Sequence, residues 1–380
     1  MGEAAALQTG APLRALVLGG YGNFGARIVR ALAGDAAIQL VVAGRDVQRA
    51  RALIDALPDG PHPAQALALD ATHADLAHRL RDERIGLVIH TAGPFQAQDY
   101  AVAQACAQAG AHYIDLADGR RFVCDFPAAL NGAFAANGRV AVSGASTVPA
   151  LSSAVVDALT RGWQAVHSID ICIAPAQTAP RGVATLAGVL SYCGAPVSVW
   201  QDGRWQDRIG WAAPTPVDFA RMPARRGALC DIPDLELFPA HFGVKDRVLF
   251  RAALEVPWSQ TSFALLAALR QKGWLTRPQA LAPLLHRMAP AFDRLGTSLG
   301  GMVVQAQGLG ANGQPATARW DIAADHDHGP EIPCMAAILL ARQLARGDGP
   351  APGAHTATGL LTLAEFAPEF ARWGMATDLS

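Results

Sequence analysis

Charge of either sign is scarce in this chain: Asp, Glu, Lys and Arg make up 17% of its 380 residues, against about 25% in a typical soluble domain. The formal net charge of −1 leaves no basic excess to neutralise a phosphate backbone, so no nucleic-acid partner is expected. A hydrophobic share of 51% excludes an intrinsically disordered chain. So little charge predicts that apolar surface remains after folding, and we expect a homodimer to cover it. The alternative is that this surface binds a hydrophobic substrate or a membrane.

Paired cysteines and long apolar runs are also missing. The six cysteines include no C-x-x-C pair, which predicts free thiols in a reducing compartment and no metal site. No stretch approaches the roughly 18 apolar residues that span a bilayer. Residues 1–13 lack the basic and apolar regions of a signal peptide. We therefore expect a cytoplasmic protein without a transmembrane segment.

Length predicts more than one domain, because a single hydrophobic core stops growing near roughly 250–300 residues. Up to about residue 143, short apolar runs alternate strictly with helical patterns. The predicted strands are 14–20, 38–43, 66–69, 87–91, 112–116 and 139–143. This alternation predicts an α/β fold with a doubly wound parallel sheet, covered by helices on both faces.

The pattern changes after Pro149, and all eight tryptophans lie at or beyond Trp163. We therefore expect a boundary near 145–155, followed by an α+β domain with a mixed sheet in which 301–308 could pair with 316–323. The chain is then divided into a dinucleotide-binding domain (1–150), a substrate and dimerisation domain (151–330), and a C-terminal segment (331–380) whose helix, 332–346, packs back on the first domain.

The strongest local motif is Gly20-Tyr-Gly22-Asn-Phe-Gly25, between the first predicted strand and helix. In this position the first glycine permits a tight turn, the second lets the backbone approach a pyrophosphate, and the third lets the helix pack closely. The helix N-terminus then offers N–H groups and a partial positive charge to phosphates. The motif predicts a Rossmann dinucleotide site that includes Asn23 and Phe24; an ordinary glycine-rich turn is the alternative.

Arg45 follows the second predicted strand, where an NAD site would carry Asp or Glu for the ribose 2′-hydroxyl. An arginine suits a 2′-phosphate instead, so we predict NADP as the cofactor. The alternative is that Arg45 is only solvated and Asp46 binds the ribose. Asp70, at the end of the third strand, could accept a hydrogen bond from the adenine amino group or cap the next helix.

Three further turns follow the fourth, fifth and sixth predicted strands, and ligands of open α/β sheets bind at that edge. Thr91, Ala92, Gly93 and Pro94 form the first turn, a small and stiff one that could lie against a ribose or nicotinamide. The second turn is Asp115 to Asp118, and the third is Ser143 to Pro149. Their polar groups are candidates for substrate contact, with plain turn chemistry as the alternative.

The sequence lacks the characteristic motifs of several other enzyme classes. None of the four tyrosines has a lysine four positions later, which excludes the catalytic Tyr-x-x-x-Lys pair of short-chain dehydrogenases. No G-x-S-x-G elbow supports a hydrolase. His326 and His328 lie in a Gly-Pro-bounded stretch without rigid helical spacing, so a solvated loop is expected rather than a metal site.

Four motifs in order resemble the saccharopine dehydrogenase (reductase) family, in its bacterial branch with an NADP-binding domain. They are Gly-Gly-Tyr-Gly-Asn-Phe-Gly, Thr-Ala-Gly-Pro-Phe-Gln, Ala-Gly-Ala-His-Tyr-Ile-Asp-Leu-Ala-Asp-Gly and Ser-Gly-Ala-Ser-Thr-Val-Pro. The resemblance covers 14–150 clearly and the rest loosely. It implies a Rossmann domain, an inserted second domain, often a dimer, and NADPH-dependent reduction of an imine formed between an amine and a carbonyl compound.

The resemblance also implies cofactor contacts at Gly20, Gly22, Asn23, Phe24, Gly25 and Arg45. The Tyr-Cys-Gly-Gly-Leu-Pro stretch of true saccharopine reductases is largely lost, because the comparable strand reads Asp170-Ile-Cys-Ile-Ala-Pro175. A Ser-Tyr-Cys-Gly occurs later, at 191–194. Saccharopine itself is therefore in doubt as the substrate. Arg181, at a predicted helix start, is a possible carboxylate clamp, with an exposed arginine as the alternative.

The sequence thus predicts an NADP(H)-dependent oxidoreductase that transfers hydride to or from a C=N or C=O carbon of a small substrate. Asp118, Ser146 and Tyr100 are the candidates for proton transfer or polarisation there. One alternative is an NADP-binding sensor or scaffold without turnover. Another is an enoyl reductase acting on a lipid-linked substrate.

Overall fold

The computed structural model describes residues 11–180 and 182–380, so Arg181 lies outside the described residues. The strands are β1 (Leu13–Leu18), β2 (Ile38–Gly44), β3 (Gln65–Ala68), β4 (Leu87–His90), β5 (His112–Asp115), β6 (Val140–Ser143), β7 (Ala165–Ala174), β8 (Pro196–Gln201), β9 (Arg204–Ile209), β10 (Thr215–Val217), β11 (Arg225–Leu229), β12 (Arg247–Ala253), β13 (Gly300–Leu309), β14 (Pro315–Ala324), β15 (Gly353–Thr356) and β16 (Ala376–Leu379).

The α-helices are α1 (Asn23–Leu32), α2 (Val47–Asp55), α3 (Leu76–Asp82), α4 (Ala101–Ala109), α5 (Arg120–Ala136), α6 (Ser152–Thr160), α7 (Val183–Ser191), α8 (Asp234–His241), α9 (Pro257–Gln271), α10 (Ala282–Asp293), α11 (Ile332–Arg346) and α12 (Leu363–Arg372). Among the described residues, no helix is both long enough and apolar enough to cross a bilayer.

The first sheet has the strand order β15-β6-β5-β4-β1-β2-β3. All of its neighbouring strands are parallel. The strands are short and apolar because helices cover both faces, as in β4, where all four residues are buried. The predicted doubly wound Rossmann sheet is therefore confirmed.

The second sheet follows the order β10-β11-β12-β7-β13-β14-β16, with β8 attached to β12 and β9 to β8. Strands β12 and β7 are parallel, whereas β13 pairs antiparallel with both β7 and β14. The sheet is thus mixed, as expected, and the predicted pairing of 301–308 with 316–323 is confirmed. One apolar core continues between the sheets, from Val142 in β6 through Val155 in α6 to Val304 in β13.

The C-terminal segment contributes to both sheets. Helix α11 spans the predicted residues and packs against α1. Strand β15 extends the first sheet beside β6, with Gly353 opposite Val140. Strand β16 instead pairs with β14 at the edge of the second sheet. The segment therefore contacts the second sheet as well as the first.

Candidate active site

The turn after β1 brings a loop and a helix into close contact. Gly19 has a φ of 80°, and the N–H groups of Gly19 and Gly20 donate to the Ala43 carbonyl oxygen at 2.9 and 3.0 Å. A Cβ on Gly25 would lie 2.3 Å from the Gly19 carbonyl oxygen. Only glycine fits there, as the motif predicted. Strand β1 ends at Leu18, rather than at residue 20 as predicted, because this turn begins immediately after it.

The N-terminus of α1 carries no side-chain cap. Its N-cap residue is Gly22, where a Cβ would meet only the Gly19 carbonyl oxygen, at 3.0 Å. Uncapped N–H groups at a helix N-terminus suit a bound phosphate. The Asn23 Nδ2 donates to the Pro180 carbonyl oxygen at 3.0 Å, which ties the turn to the segment after β7. Phe24 packs partly buried against the core, and its carbonyl accepts from the Cys334 thiol.

The end of β2 separates the roles of Arg45 and Asp46. The Asp46 carboxylate accepts from the Gln48 and Arg49 N–H groups at 3.0 and 3.2 Å, and so caps α2. Its own N–H donates to the Tyr21 hydroxyl at 2.9 Å. The side chain of Arg45 is exposed. Since Asp46 is engaged as a helix cap, Arg45 remains the residue with a free charged group at this position.

Tyr21 and Arg49 were not singled out from the sequence. The Tyr21 ring fills the space beside Gly44, where a Cβ would lie 2.5 Å from a ring carbon. The Arg49 guanidinium lies 4.7 Å from the centroid of that ring. The glycine motif itself contains the tyrosine, but its partner glycine is visible only once β2 lies beside the turn.

Asp70 lies at the same edge, beyond β3, with its side chain exposed. Its carboxylate accepts from the N–H and the hydroxyl of Thr72, both at 2.9 Å. These hydrogen bonds lower the pKa of Asp70 below its ordinary value. The carboxylate thus stabilises the turn that leads into α3 but does not cap that helix, whose N-cap residue is Asp75; its expected contact with adenine stays a prediction.

Hydrogen bonds from Thr91 and Gln98 hold the turn after β4 in place. The Thr91 hydroxyl donates to the Leu18 carbonyl oxygen at 2.9 Å, which fastens this turn to the end of β1. The Gln98 amide donates to the carbonyls of Ala92 and Pro94 at 2.8 and 3.0 Å. A Cβ on Gly93 would meet only Phe95, at 3.5 Å. The turn is therefore stiff, and its glycine leaves space at the edge of the sheet.

Asp115 joins the turns after β5 and β6. This carboxyl group is fully buried, and its Oδ1 accepts from the Ala117 N–H, the Ser143 hydroxyl and the Gly144 N–H at 2.9, 3.0 and 2.8 Å. Burial raises its pKa to about 6, in spite of these donors. Asp115 is thus a positioning residue for both turns.

Asp118 lies in the turn between β5 and α5. Its side chain is reached by solvent, yet the surrounding protein desolvates it enough to raise its pKa above the ordinary value. Its Oδ1 accepts from the Gln96 amide at 2.9 Å. A Cβ on Gly188 of α7 would lie 3.0 Å from the Gln96 nitrogen. Gln96 therefore lies between this carboxyl group and α7.

Gln96 and Tyr192 lie near Asp118 and were not named as site residues from the sequence. Desolvation, with Asp118 and Asp231 nearby, raises the pKa of Tyr192. Tyr192 belongs to the Ser-Tyr-Cys-Gly stretch, which follows directly on α7. Gln96 is the last residue of the Thr-Ala-Gly-Pro-Phe-Gln motif, so its place in that motif was the available signal.

The other two catalytic candidates lie apart from each other. Ser146 is buried in the turn after β6, where its N–H donates to the Gly144 carbonyl oxygen at 2.7 Å. The Tyr100 hydroxyl donates to the Phe122 carbonyl oxygen of α5 at 3.0 Å. Burial is the main cause that raises the pKa of Tyr100 to about 12. Asp118 and Ser146 thus follow neighbouring strands, whereas the Tyr100 proton is engaged with α5.

Comparison with known proteins places this geometry in context. Residues 15–147 match the family model described as the saccharopine dehydrogenase NADP binding domain. A search of curated proteins found no significant match to the chain.

Among solved structures, the fold resembles apo saccharopine dehydrogenase (L-Glu forming) from Saccharomyces cerevisiae. The TM-score is 0.65 at 13% identity, over 97% of this chain and 99% of that chain. An amine dehydrogenase from Mycobacterium smegmatis gives a TM-score of 0.50 at 10% identity, over 92% and 96% of the two chains. Identities this low establish the fold alone. The resemblance predicted from the four motifs is thus confirmed: residues 15–147 form a saccharopine dehydrogenase NADP-binding domain, within a chain that shares the saccharopine dehydrogenase fold.

Proposed function

We propose that this protein is an NADP(H)-dependent oxidoreductase that transfers hydride to or from a C=N or C=O carbon of a small substrate. One observation carries the proposal: the uncapped N-terminus of α1 and the desolvated carboxyl group of Asp118 lie along the same edge of one parallel sheet. Ligands of this fold bind at that edge.

The choice of NADP(H) rests on Arg45. Its guanidinium is exposed at the end of β2, while the neighbouring carboxylate, Asp46, is engaged in capping α2. A ribose 2′-phosphate beside Arg45 would gain charge-assisted hydrogen bonds. Gly20, Gly22, Asn23, Phe24 and Gly25 would place the backbone around the pyrophosphate.

The nicotinamide would lie further along the edge. The turn formed by Thr91, Ala92, Gly93 and Pro94 is stiff and leaves space there, so we propose that it supports the ribose and ring. Asp70, beyond β3, would lie on the adenine side.

Asp118 is our leading candidate for the proton transfer. The cofactor, when bound, supplies or accepts the hydride. In the direction of reduction, the protonated Asp118 would donate its proton to the substrate nitrogen or oxygen as the carbon is reduced. A raised pKa keeps such a proton available closer to neutral pH, and Gln96 holds the carboxyl group in place. We propose that Ser146, on the next turn, contacts the substrate.

The fold favours C=N chemistry, because the solved structures that it resembles include a saccharopine dehydrogenase and an amine dehydrogenase. Residues 170–175 differ from the Tyr-Cys-Gly-Gly-Leu-Pro stretch of saccharopine reductases, which argues against saccharopine as the substrate. A small keto acid combined with an amine is therefore the first substrate pair to screen.

The first experiment measures NADPH and NADH binding by nucleotide fluorescence. Replacing Arg45 with alanine should weaken NADPH binding roughly 10- to 100-fold, as expected for lost hydrogen bonds to a charged group, and leave NADH binding nearly unchanged. Arg204→Ala removes an exposed arginine of β9 and serves as the control. Failure of the wild-type protein to bind either nucleotide would refute the cofactor site.

The second experiment separates an enzyme from a sensor. Asp118→Asn keeps an acceptor for Gln96 but removes the transferable proton, so turnover should fall roughly 10²- to 10⁴-fold with NADPH affinity retained. Asp125→Asn, at an exposed carboxylate of α5, is the matched control. If NADPH binds but no keto acid and amine pair turns over, the sensor is favoured.

A further inference from the structure

Exposed apolar side chains are concentrated in one stretch of the second half. Nine large apolar side chains are exposed among the described residues, and six of them belong to residues 257–295. These six are Trp258, Leu265, Trp274, Leu284, Met288 and Leu295. Trp274 is 76% exposed, which is unusual for a tryptophan. Clustering of this kind marks an interaction surface rather than the scattered apolar residues of an ordinary exterior.

Four of these side chains lie on two neighbouring helices. On α9, Trp258 and Leu265 are seven residues apart and therefore share a face, as do Leu284 and Met288 on α10 at a spacing of four. The Trp258 ring packs edge-on against Phe292 of α10, with centroids 4.8 Å apart, so the two helices adjoin there. Trp274 and Leu295 follow within three residues of the ends of α9 and α10. We call the exposed side of these two helices and of the residues just after them the α9–α10 face.

The α9–α10 face is also basic. Residues 257–295 contain five Lys or Arg and one Asp, whereas the whole chain has 31 Lys or Arg against 32 Asp or Glu. Four of these cations are exposed: Lys272, Arg277, Arg287 and Arg294. The Lys272 ammonium lies 5.4 Å from the centroid of the Trp274 ring. Arg287 lies one turn from Leu284, so it borders the apolar stripe.

We propose that the α9–α10 face binds a membrane surface that contains anionic lipids. Tryptophan side chains favour the boundary between headgroups and acyl chains, and basic residues beside apolar ones are typical of helices that lie in that plane. The expected homodimer is a poorer occupant. In a two-fold dimer the same patch faces itself, which would bring the four exposed cations of each copy together.

The α9–α10 face is connected to the candidate active site through neighbouring helices. Helix α10 packs against α7, and a Cβ on Gly188 of α7 would lie 3.0 Å from the Gln96 nitrogen, which donates to Asp118. Two helices therefore connect the α9–α10 face to the candidate active site. The surface proposal stands on exposure and charge, and does not depend on the proposed redox activity.

The test is co-sedimentation of the full chain with vesicles of phosphatidylcholine alone, and of phosphatidylcholine mixed with phosphatidylglycerol. Binding should require the anionic lipid and should weaken as salt is raised. Arg287→Ala and Lys272→Ala should each weaken it about fivefold, since one basic residue near an anionic surface contributes about that factor. Trp258→Ser and Trp274→Ser should weaken it further.

The chain offers a matched control for the tryptophan. Trp205 and Trp258 are both 47% exposed, and each packs against one aromatic ring, Trp200 or Phe292. Trp205→Ser, outside the α9–α10 face, should bind vesicles as the wild type does. Thermal unfolding of each variant checks that the fold is intact.

Two results would overturn the proposal. One is equal binding, or no binding, to the neutral and anionic vesicles. The other is a wild-type dimer in sedimentation velocity that Trp258→Ser converts to a monomer, because the occupant would then be a second copy of this chain.

Discussion

At the scale of single residues, Asp115 shows how a buried carboxyl group can organise an edge of the sheet. Its Oδ1 receives three hydrogen bonds from two different turns, while its Oδ2 has no partner. Burial outweighs the donors, so the pKa rises from the ordinary value of 3.8 to about 6. The geometry of the two turns is therefore coupled to the protonation of one group.

This coupling predicts a pH dependence of stability. Between pH 4 and pH 6 the folded state binds a proton at Asp115 that the unfolded state has released, so the contribution of Asp115 to stability falls as the pH rises through this window. Asp115→Asn removes the titration and keeps an oxygen acceptor for the three donors. The free energy of unfolding of the wild type, minus that of the variant, should fall by roughly 2–3 kcal/mol between pH 4.5 and pH 8.

Urea unfolding at a series of pH values measures this difference. Other buried groups titrate in the same range, such as Asp234, whose pKa burial raises to about 7. They are common to both proteins and cancel in the difference. A constant difference across the range would show that the Asp115 pKa is not raised.

Asp115 and Asp118 also show how far the residues of the site could be predicted. The sequence placed both in the turn after β5, because that turn ends an apolar run. It could not tell which one is buried. That distinction depends on Ser143 and Gly144, which lie beside Asp115 only once β6 is the neighbouring strand. Tyr192 is farther away still in the sequence, and no local pattern linked it to Asp118.

At the scale of elements, the turn between β1 and α1 separates two uses of glycine. A Cβ on Gly25 would lie 2.3 Å from the Gly19 carbonyl oxygen, whereas one on Gly22 would lie 3.0 Å from the same atom. The motif names both positions, but only the surrounding atoms show how much more tightly Gly25 is packed; binding at Gly22 is our proposal.

Alanine substitutions should therefore give opposite results at the two positions. Gly25→Ala would place a Cβ 2.3 Å from a backbone oxygen and should lower the free energy of unfolding by about 1–3 kcal/mol or more. Gly22→Ala places a Cβ 3.0 Å from one backbone oxygen; it should cost less, about 1 kcal/mol, but should weaken NADPH binding. Thermal unfolding and nucleotide titration measure the two effects.

Gly34→Ala is the control for this pair, because a Cβ there meets no atom within 4 Å. It should change neither stability nor binding appreciably. If Gly22→Ala bound NADPH as the wild type does, the phosphate would not approach this glycine.

The elements that the sequence predicted well are the buried ones. Strands β1, β2 and β4 are apolar runs covered on both faces, and α11 carries a clear helical pattern. Strand β9 was missed because it is largely exposed and polar. Strand β15, Gly-Ala-His-Thr, is too short to show a period, and its place depends on β6. Tertiary neighbours, rather than local pattern, decide such elements.

At the scale of the whole molecule, the last 50 residues hold the two sheets together. Strand β15 lies at the edge of the first sheet, and β16 lies at the edge of the second. Helix α11 precedes both strands in the chain and follows β14 of the second sheet. The Arg27 guanidinium of α1 also pairs with Glu331 at 2.9 Å, just before α11. The division into 1–150, 151–330 and 331–380 stays a prediction, and so does the homodimer.

An isolated fragment of residues 1–150 tests that division. It lacks β15, which pairs with β6, and α11, which covers α1, so its sheet has an open edge and its core has an uncovered face. We expect no cooperative thermal transition and weak NADPH binding. Circular dichroism and nucleotide titration measure these properties.

A second variant tests whether the C-terminal segment is what the fragment lacks. Joining 11–160 to 331–372 through a flexible linker restores β15, α11 and α12, and should recover a cooperative transition. Full stability and full NADPH affinity in the 1–150 fragment would show that the first domain is independent of the C-terminal segment.

The position of β15 in the chain also sets the order in which a newly made protein can fold. About 210 residues separate β6 from the strand that pairs with it. At synthesis rates of roughly 5–20 residues per second, β15 follows β6 out of the ribosome by roughly 10–40 s. During that interval β6 has an unpaired edge that other nascent chains or chaperones could bind. We expect the nucleotide site to mature only after synthesis has reached the final strands.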